Sequence, residues 1–201
     1  MIRLSKEDEI WIITLDRAEK ANSLTRSMLV EICEIAENAH SAKGVILTGT
    51  GKTFSAGADL EEAKAGLAVD PIWERLSSAV AGLECLTIAA LNGTLAGGAF
   101  GMALACDIRL SVPSAKFFYP VMKLGFLPQP SDPKRLVDLV GPARAKLILM
   151  AGAKIDAQEA MNFGLIERIC DDPLAEALCL CEAPQAAKKT HISAIKAMSN
   201  A

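Results

Sequence analysis

From Leu86 to Cys106 the chain reads LTIAALNGTLAGGAFGMALAC, with no charged residue anywhere in the run. Such a stretch is long and apolar enough to be weighed as a membrane span. Asn92 and Gly93 interrupt it after a short apolar run, and a glycine pair, Gly97 and Gly98, follows four residues later. Glycine is the poorest ordinary helix former after proline, so the pattern reads as strand, turn, then helix, and the run is core. The puzzle is the pair of glycines at the point where a helix should start.

A second stretch has the same grammar. KGVILTGTG is a short buried strand ending in glycines, and GKTFSAGADL follows it as a loop running toward helical sequence. Both turns place Gly and Ala where larger side chains would block a ligand. Backbone N–H groups left unpaired at such turns can point into a cleft and hold an anion or a developing oxyanion.

Around these turns, EIWIITLD is a β-rich apolar run followed by the polar loop RAEKANS. Leu24, Met28, Ile32, Ile35 and Ala39 then recur at helical spacing. A helix is predicted from about Ile72 to Leu83, and IRLSV and AKFFYPV read as two strands joined by a turn at Pro113 and Ser114. KRLVDLVGPARAKLILMAG reads as two helices broken at Gly141 and Pro142, and DAQEAMNFGLIERIC as a capped helix, a glycine stop and a strand. The remainder from Pro173 is alanine-rich and helical. Short buried strands alternating with helices predict an α/β domain with a largely parallel sheet, with no linker and no exact repeat.

With 201 residues, 51% hydrophobic and 22% charged, the chain can bury a substantial core, and residues 1–201 read as one domain. A net charge of -3 offers no general field for nucleic acid or an anionic membrane. MIRLSKEDEI carries charge where an export signal needs apolar residues, so the chain reads as cytoplasmic. The six cysteines show no paired zinc spacing, and His40 and His191 are the only histidines, so no metal site is expected. Neither G-x-x-x-x-G-K-[ST] nor G-x-G-x-x-G occurs, which argues against a nucleotide-binding α/β domain.

RAEKANSL, GKTFSAGADL, ALNGTLAGGAFGMALACDIRL, FFYPVMKLGFLP and DAQEAMNFGLIERI together resemble the crotonase, or enoyl-CoA hydratase/isomerase, superfamily, in family order and spacing over about Met1 to Cys170. The resemblance implies a ClpP/crotonase-like spiral of β-β-α units with a helical C-terminal segment, here about 173–201 and shorter than usual for the family. It implies an acyl-CoA substrate, with coenzyme A as part of that substrate and no separate cofactor, and a homotrimer or hexamer. By position, the two N–H groups that bind the thioester oxygen and stabilise an enolate fall on Ala58 and Gly98. The same carry-over places Lys20 near the CoA phosphates and the Ala21 backbone near the adenine, with Ala56, Asp59 and Leu60 lining the channel.

The resemblance also exposes a departure. The two glutamates that hydratases of the family use fall on Gly101 and Val121, and neither residue can move a proton. Where some members carry an aspartate, this chain has Gln129. Asp132, Glu62 and Tyr119 are the substitutes within reach. Asp132 precedes a helix and reads first as an N-cap, Glu62 reads as a solvated charge beside Glu61, and Tyr119 reads as core. Hydration is therefore poorly supported, and decarboxylation, isomerisation, thioester hydrolysis and acyl-CoA binding without catalysis stay open.

Overall fold

The computed structural model describes residues 1–200. The chain opens with an antiparallel pair, β1 (Ile2–Glu7) and β2 (Ile10–Leu15), followed by α1 (Arg26–Glu37). Three spiral turns come next, each sending one strand to a large sheet and the following strand to a small one before returning through helix. The first is β3 (Gly44–Gly49), β4 (Thr53–Ser55), α2 (Leu60–Lys64) and α3 (Ile72–Ala81). The second is β5 (Leu86–Leu91), β6 (Thr94–Ala96), a 3-10 turn at Gly97–Ala99 and α4 (Phe100–Leu104). The third is β7 (Ile108–Ser111), β8 (Lys116–Phe118), α5 (Val121–Leu124) and α6 (Asp132–Leu149). The chain ends with β9 (Ile155–Asp156), α7 (Ala157–Phe163), β10 (Arg168–Ile169), α8 (Pro173–Ala186) and α9 (Lys189–Ser199).

The large sheet runs β1-β2-β3-β5-β7-β10 and is parallel apart from the β1 edge; the small one runs β4-β6-β8-β9, with β9 antiparallel. Parallel strands covered on both faces need apolar residues at every position, and β2 is buried throughout. Its alternation still sorts the faces. Trp11, Ile13 and Leu15 enter the main core with α1 and α3, while Ile10 and Ile12 join Ile46, Ile88 and Leu110 beneath Ala177 and Cys181 of α8.

Leu86 to Cys106 is core, divided among β5, β6, the glycine turn and α4, and among the described residues no helix is long and apolar enough to cross a membrane. The glycine pair therefore heads a short helix of five residues rather than a long one. The largely parallel β-structure is divided into two sheets, and the strands in IRLSV and AKFFYPV, joined by the expected turn, go to different ones: β7 lies between β5 and β10, β8 between β6 and β9. Pro113 and Ser114 carry the chain from one sheet to the other. β1 was not legible because its charged residues hide a sparse alternation; Ile2 and Leu4 are its contacts with the core, as suits an exposed edge strand. The break at Gly141 is real: its φ of +78° kinks α6 just before Pro142.

Candidate active site

The two glycine turns meet. Gly57 has a φ of +91°, and a Cβ there would lie 2.9 Å from the Ala96 carbonyl oxygen and 3.4 Å from the Gly98 nitrogen. From the other side, a Cβ on Gly97, whose φ is +57°, would lie 3.6 Å from the Gly57 Cα. Only glycine tolerates both the conformation and the approach at these positions. Ala58 and Gly98 are each the residue just after one of these glycines, so the fold brings them to one place.

Their neighbours' polar groups are tied down. Ala56 N–H donates to the Ala21 carbonyl at 3.0 Å, Gly57 N–H to Ser55 Oγ at 3.1 Å, and Asp59 N–H to the Leu24 carbonyl at 2.9 Å. Among the described residues, no turn, loop or cap hydrogen bond uses the Ala58 or Gly98 N–H. Both residues are partly exposed, so two donors side by side beside a cavity are open to a ligand. That cavity, of about 460 Å³, is lined by both residues together with Ala56, Leu60, Trp73 and Tyr119. A larger groove of about 820 Å³, beside Asp107 and Lys196, contains neither turn.

The loop RAEKANS braces the first turn. Arg17 Nη1 donates to Asp59 Oδ2 at 2.7 Å, which holds the Asp59 carboxyl below its ordinary range. Asn22, fully buried with a φ of +52°, donates to the Thr50 and Thr53 carbonyls and accepts from Arg17 N–H. Asparagine is among the few residues that accept this backbone, so AN in this loop was a readable signal that sequence reasoning missed. Lys20 is exposed on the 3-10 turn Ala18–Lys20, and Ala21, with a φ of +51°, donates to Ala18 O and accepts from Ala56 N. Lys20, Ala21 and Asp59 lie beside the cavity-forming loop without lining the cavity; Ala56 and Leu60 line it.

The three candidate acid–base residues separate. Glu62 Oε2 accepts from the Arg26 N–H at 2.6 Å, at the start of α1, and does not line the cavity. Asp132 is not an N-cap: Ser131 holds that position and no side chain caps it. Instead the Asp132 carboxyl is turned inward, 1% exposed, where Oδ2 accepts from the Tyr119 hydroxyl at 2.8 Å and Oδ1 has no partner among the described residues. Burial lifts this carboxyl to about 6 and, with the nearby Asp132 charge, raises the Tyr119 phenol above its ordinary range. Tyr119 is core by burial, stacked on Phe100 at 5.4 Å, yet it also forms cavity wall. Trp73, absent from the sequence-derived candidates, packs its ring where a Gly98 Cβ would come within 3.2 Å.

A family model described as "Enoyl-CoA hydratase/isomerase" matches residues 5–201. The chain belongs to the enoyl-CoA hydratase/isomerase family. Among this family's curated members, "Probable enoyl-CoA hydratase EchA14" of Mycobacterium tuberculosis is 34% identical, over all of this chain and 81% of the relative. "Ethylmalonyl-CoA decarboxylase" of Pongo abelii is 31% identical over 84% of this chain and 59% of its own length. The crystal structure of enoyl-CoA hydratase from Bacillus anthracis superposes with a TM-score of 0.89 at 32% identity, covering 99% of this chain and 82% of that one. The crotonase fold is thus shared.

Proposed function

We propose that this chain acts on acyl-CoA thioesters and stabilises an enolate by binding the thioester oxygen between the N–H groups of Ala58 and Gly98. The observation that carries this reading is the contact of the two glycine turns, with neither amide engaged in a turn, loop or cap hydrogen bond among the described residues. Two preorganised donors aimed at one oxygen favour the enolate over the ground state, because the charge there grows as the reaction proceeds. The absence of a Cβ at Gly98 lets a carbonyl approach its amide.

Lys20 on its exposed turn meets the CoA phosphates in this reading, the Ala21 backbone meets the adenine, and Ala56, Asp59 and Leu60 flank the channel. The acyl chain enters the apolar space beside Trp73 and Leu127. Assembly as a homotrimer or hexamer belongs to the same proposal and is checked by light scattering. The two relatives, one named a probable enoyl-CoA hydratase and the other an ethylmalonyl-CoA decarboxylase, share a CoA ester as substrate and differ in the reaction. Gly101 and Val121 at the family's two glutamate positions weigh against hydration, and the same observation favours the second reading, a protein that binds acyl-CoA without turning it over.

Deuterium incorporation at the α-carbon of acyl-CoA esters in heavy water separates the two. Exchange that disappears in Gly98→Pro, a change that removes the amide N–H, supports enolate chemistry. Tight binding with no exchange supports the binder. Unchanged binding and exchange in a folded Gly98→Pro protein rules out the proposed oxygen site.

A further inference from the structure

An enolate needs a group that takes and returns a proton at the carbon beside the thioester. Among the residues lining the cavity, Lys64 and Tyr119 are the ones with an ionisable side chain. Lys64 points to solvent, 64% exposed and paired with Glu61 at 2.9 Å. Tyr119 is buried and bonded to a buried carboxyl that is itself half-satisfied: Asp132 Oδ1 touches no donor. A buried carboxylate oxygen without a partner is costly as a charge and calls for a reason, a catalytic role being one.

The place Asp132 occupies is the second observation. A Cβ built on Gly101 would lie 2.9 Å from Asp132 Oδ1, so the carboxyl fills the volume that a side chain from α4 would otherwise project through. Residues 101 and 132 compete for one space next to the second glycine turn. A glycine on α4 leaves room for a carboxyl arriving from α6.

We infer that Tyr119 and Asp132 form a proton relay for the thioester α-carbon, Tyr119 meeting the substrate and Asp132 holding the proton behind it. The inference rests on the acyl-thioester reading above. In the forward direction the α C–H bond breaks and its proton passes to the Tyr119 oxygen while the Tyr119 hydroxyl proton passes to the Asp132 carboxylate. The electron pair is left on the thioester oxygen as the enolate; while it persists the proton on Tyr119, a residue that lines the cavity, exchanges with solvent there, and the return step then delivers the exchanged proton to the α-carbon as the Asp132 proton goes back to Tyr119. Tyr119 is the catalytic residue and Asp132 the positioning residue that gives the phenol somewhere to send its proton. One relay moves one proton. It suits α-proton exchange, or protonation of an enolate left when a carboxylate substituent departs as carbon dioxide, and it lacks the second group that adding water requires.

The charged groups facing Asp132 are Arg135, on its own helix, and Glu74 from α3; Tyr119 comes from the segment after β8, and α4 presents the uncharged Phe100–Leu104. Burial is the largest influence, and Arg135 and the Tyr119 hydrogen bond oppose it. The carboxyl lifted to about 6 is therefore ionised, and able to accept a proton, in the upper part of the physiological range.

The test is α-deuterium exchange of butyryl-CoA from pH 5 to 8, with binding measured in parallel by calorimetry. In the wild type the rate rises with pH, bends near 6 and levels off. Tyr119→Phe loses roughly 100-fold or more of the exchange rate, and Asp132→Asn loses a comparable amount together with the bend, while affinity changes by less than about threefold in either. Exchange that is lost in Gly98→Pro but kept, with the same pH profile, in Tyr119→Phe and Asp132→Asn overturns the relay and leaves the oxygen site standing. A wild-type profile with no bend between pH 5 and 7 overturns the relay without any variant having to fold. No exchange by the wild type overturns the relay and the enolate reading together.

Discussion

Gly98 and Gly101 stand one turn apart on the same short segment, and each lacks a side chain for a different reason. At Gly98 the missing Cβ leaves space against the Trp73 ring, which in the proposed site keeps the amide reachable. At Gly101 the missing Cβ makes room for Asp132, which arrives from α6. One glycine serves its own backbone, and the other serves a side chain from elsewhere. A glycine in a site is therefore explained only when what fills the space it leaves is known.

The largest effect should come at the first of the pair. Gly98→Pro is expected to lower α-exchange by about 10²–10³-fold, the usual loss for one oxyanion donor, while the circular dichroism spectrum stays that of a folded domain. Gly98→Ala keeps the N–H and sharpens the contrast. Its Cβ meets the Trp73 ring at 3.2 Å, so it should weaken binding of the ester more than it slows exchange from the bound state. If Gly98→Ala is as damaging to bound-state exchange as Gly98→Pro, space rather than the donor explains this glycine.

At Gly101 the expected signature is coupling. Gly101→Ala places a methyl 2.9 Å from Asp132 Oδ1 and should cost about 1–3 kcal/mol in denaturant unfolding, as overpacked sites do. In an Asp132→Ala background most of that cost should vanish, giving an interaction energy of about 1–2 kcal/mol in a double-mutant cycle. Additive effects would mean that the two residues do not share one volume.

The same carboxyl should leave a mark on stability against pH. The folded state raises Asp132 from 3.8 to about 6, so folding favours its protonated form. The stabilisation from that bound proton is complete below the unfolded value and is lost as pH rises through about 6. Asp132→Asn should remove this decline, so that its stability relative to the wild type improves between pH 4.5 and pH 7.5 by on the order of 2 kcal/mol. Glu37, Asp59 and Asp70, all held below their ordinary values by arginine partners or backbone N–H groups, act in the opposite sense and at lower pH. A constant difference between the two proteins across this window would contradict the lifted carboxyl.

The contrast between the glycines also explains what the sequence made legible. The strand-turn-helix grammar at SAGAD and LAGGAFG is local, because backbone conformation depends on adjacent residues, and it located both turns and the break at Gly141. The resemblance then joined the turns into one site. The partner of Gly101 depended on long-range packing: Asp132 has the residue type and position of an N-cap, and nothing in QPSDPKRL says that its side chain turns inward to Tyr119. Trp73 was hidden for the same reason, as an aromatic on an amphipathic helix reads as core whether or not it also faces a cavity. The separation of β7 and β8 into different sheets is likewise a property of the spiral rather than of the Pro113–Ser114 turn.

The smallest effect should lie at the outer edge of the proposed site, where the proposed CoA contact is a solvated side chain. Lys20 is exposed on the turn that leads into Ala21, and exposed ion pairs contribute about 0–1 kcal/mol. Lys20→Ala is therefore expected to weaken CoA binding by about twofold to fivefold at low ionic strength, with the difference fading in high salt as the phosphates are screened. Exchange from the bound state should be unchanged, because the lysine acts on the nucleotide and not on the carbonyl. An affinity that is indifferent to Lys20 at low salt would move the phosphates off this strip, while the meeting of the two glycine turns, which depends on Gly57 and Gly97, would be untouched.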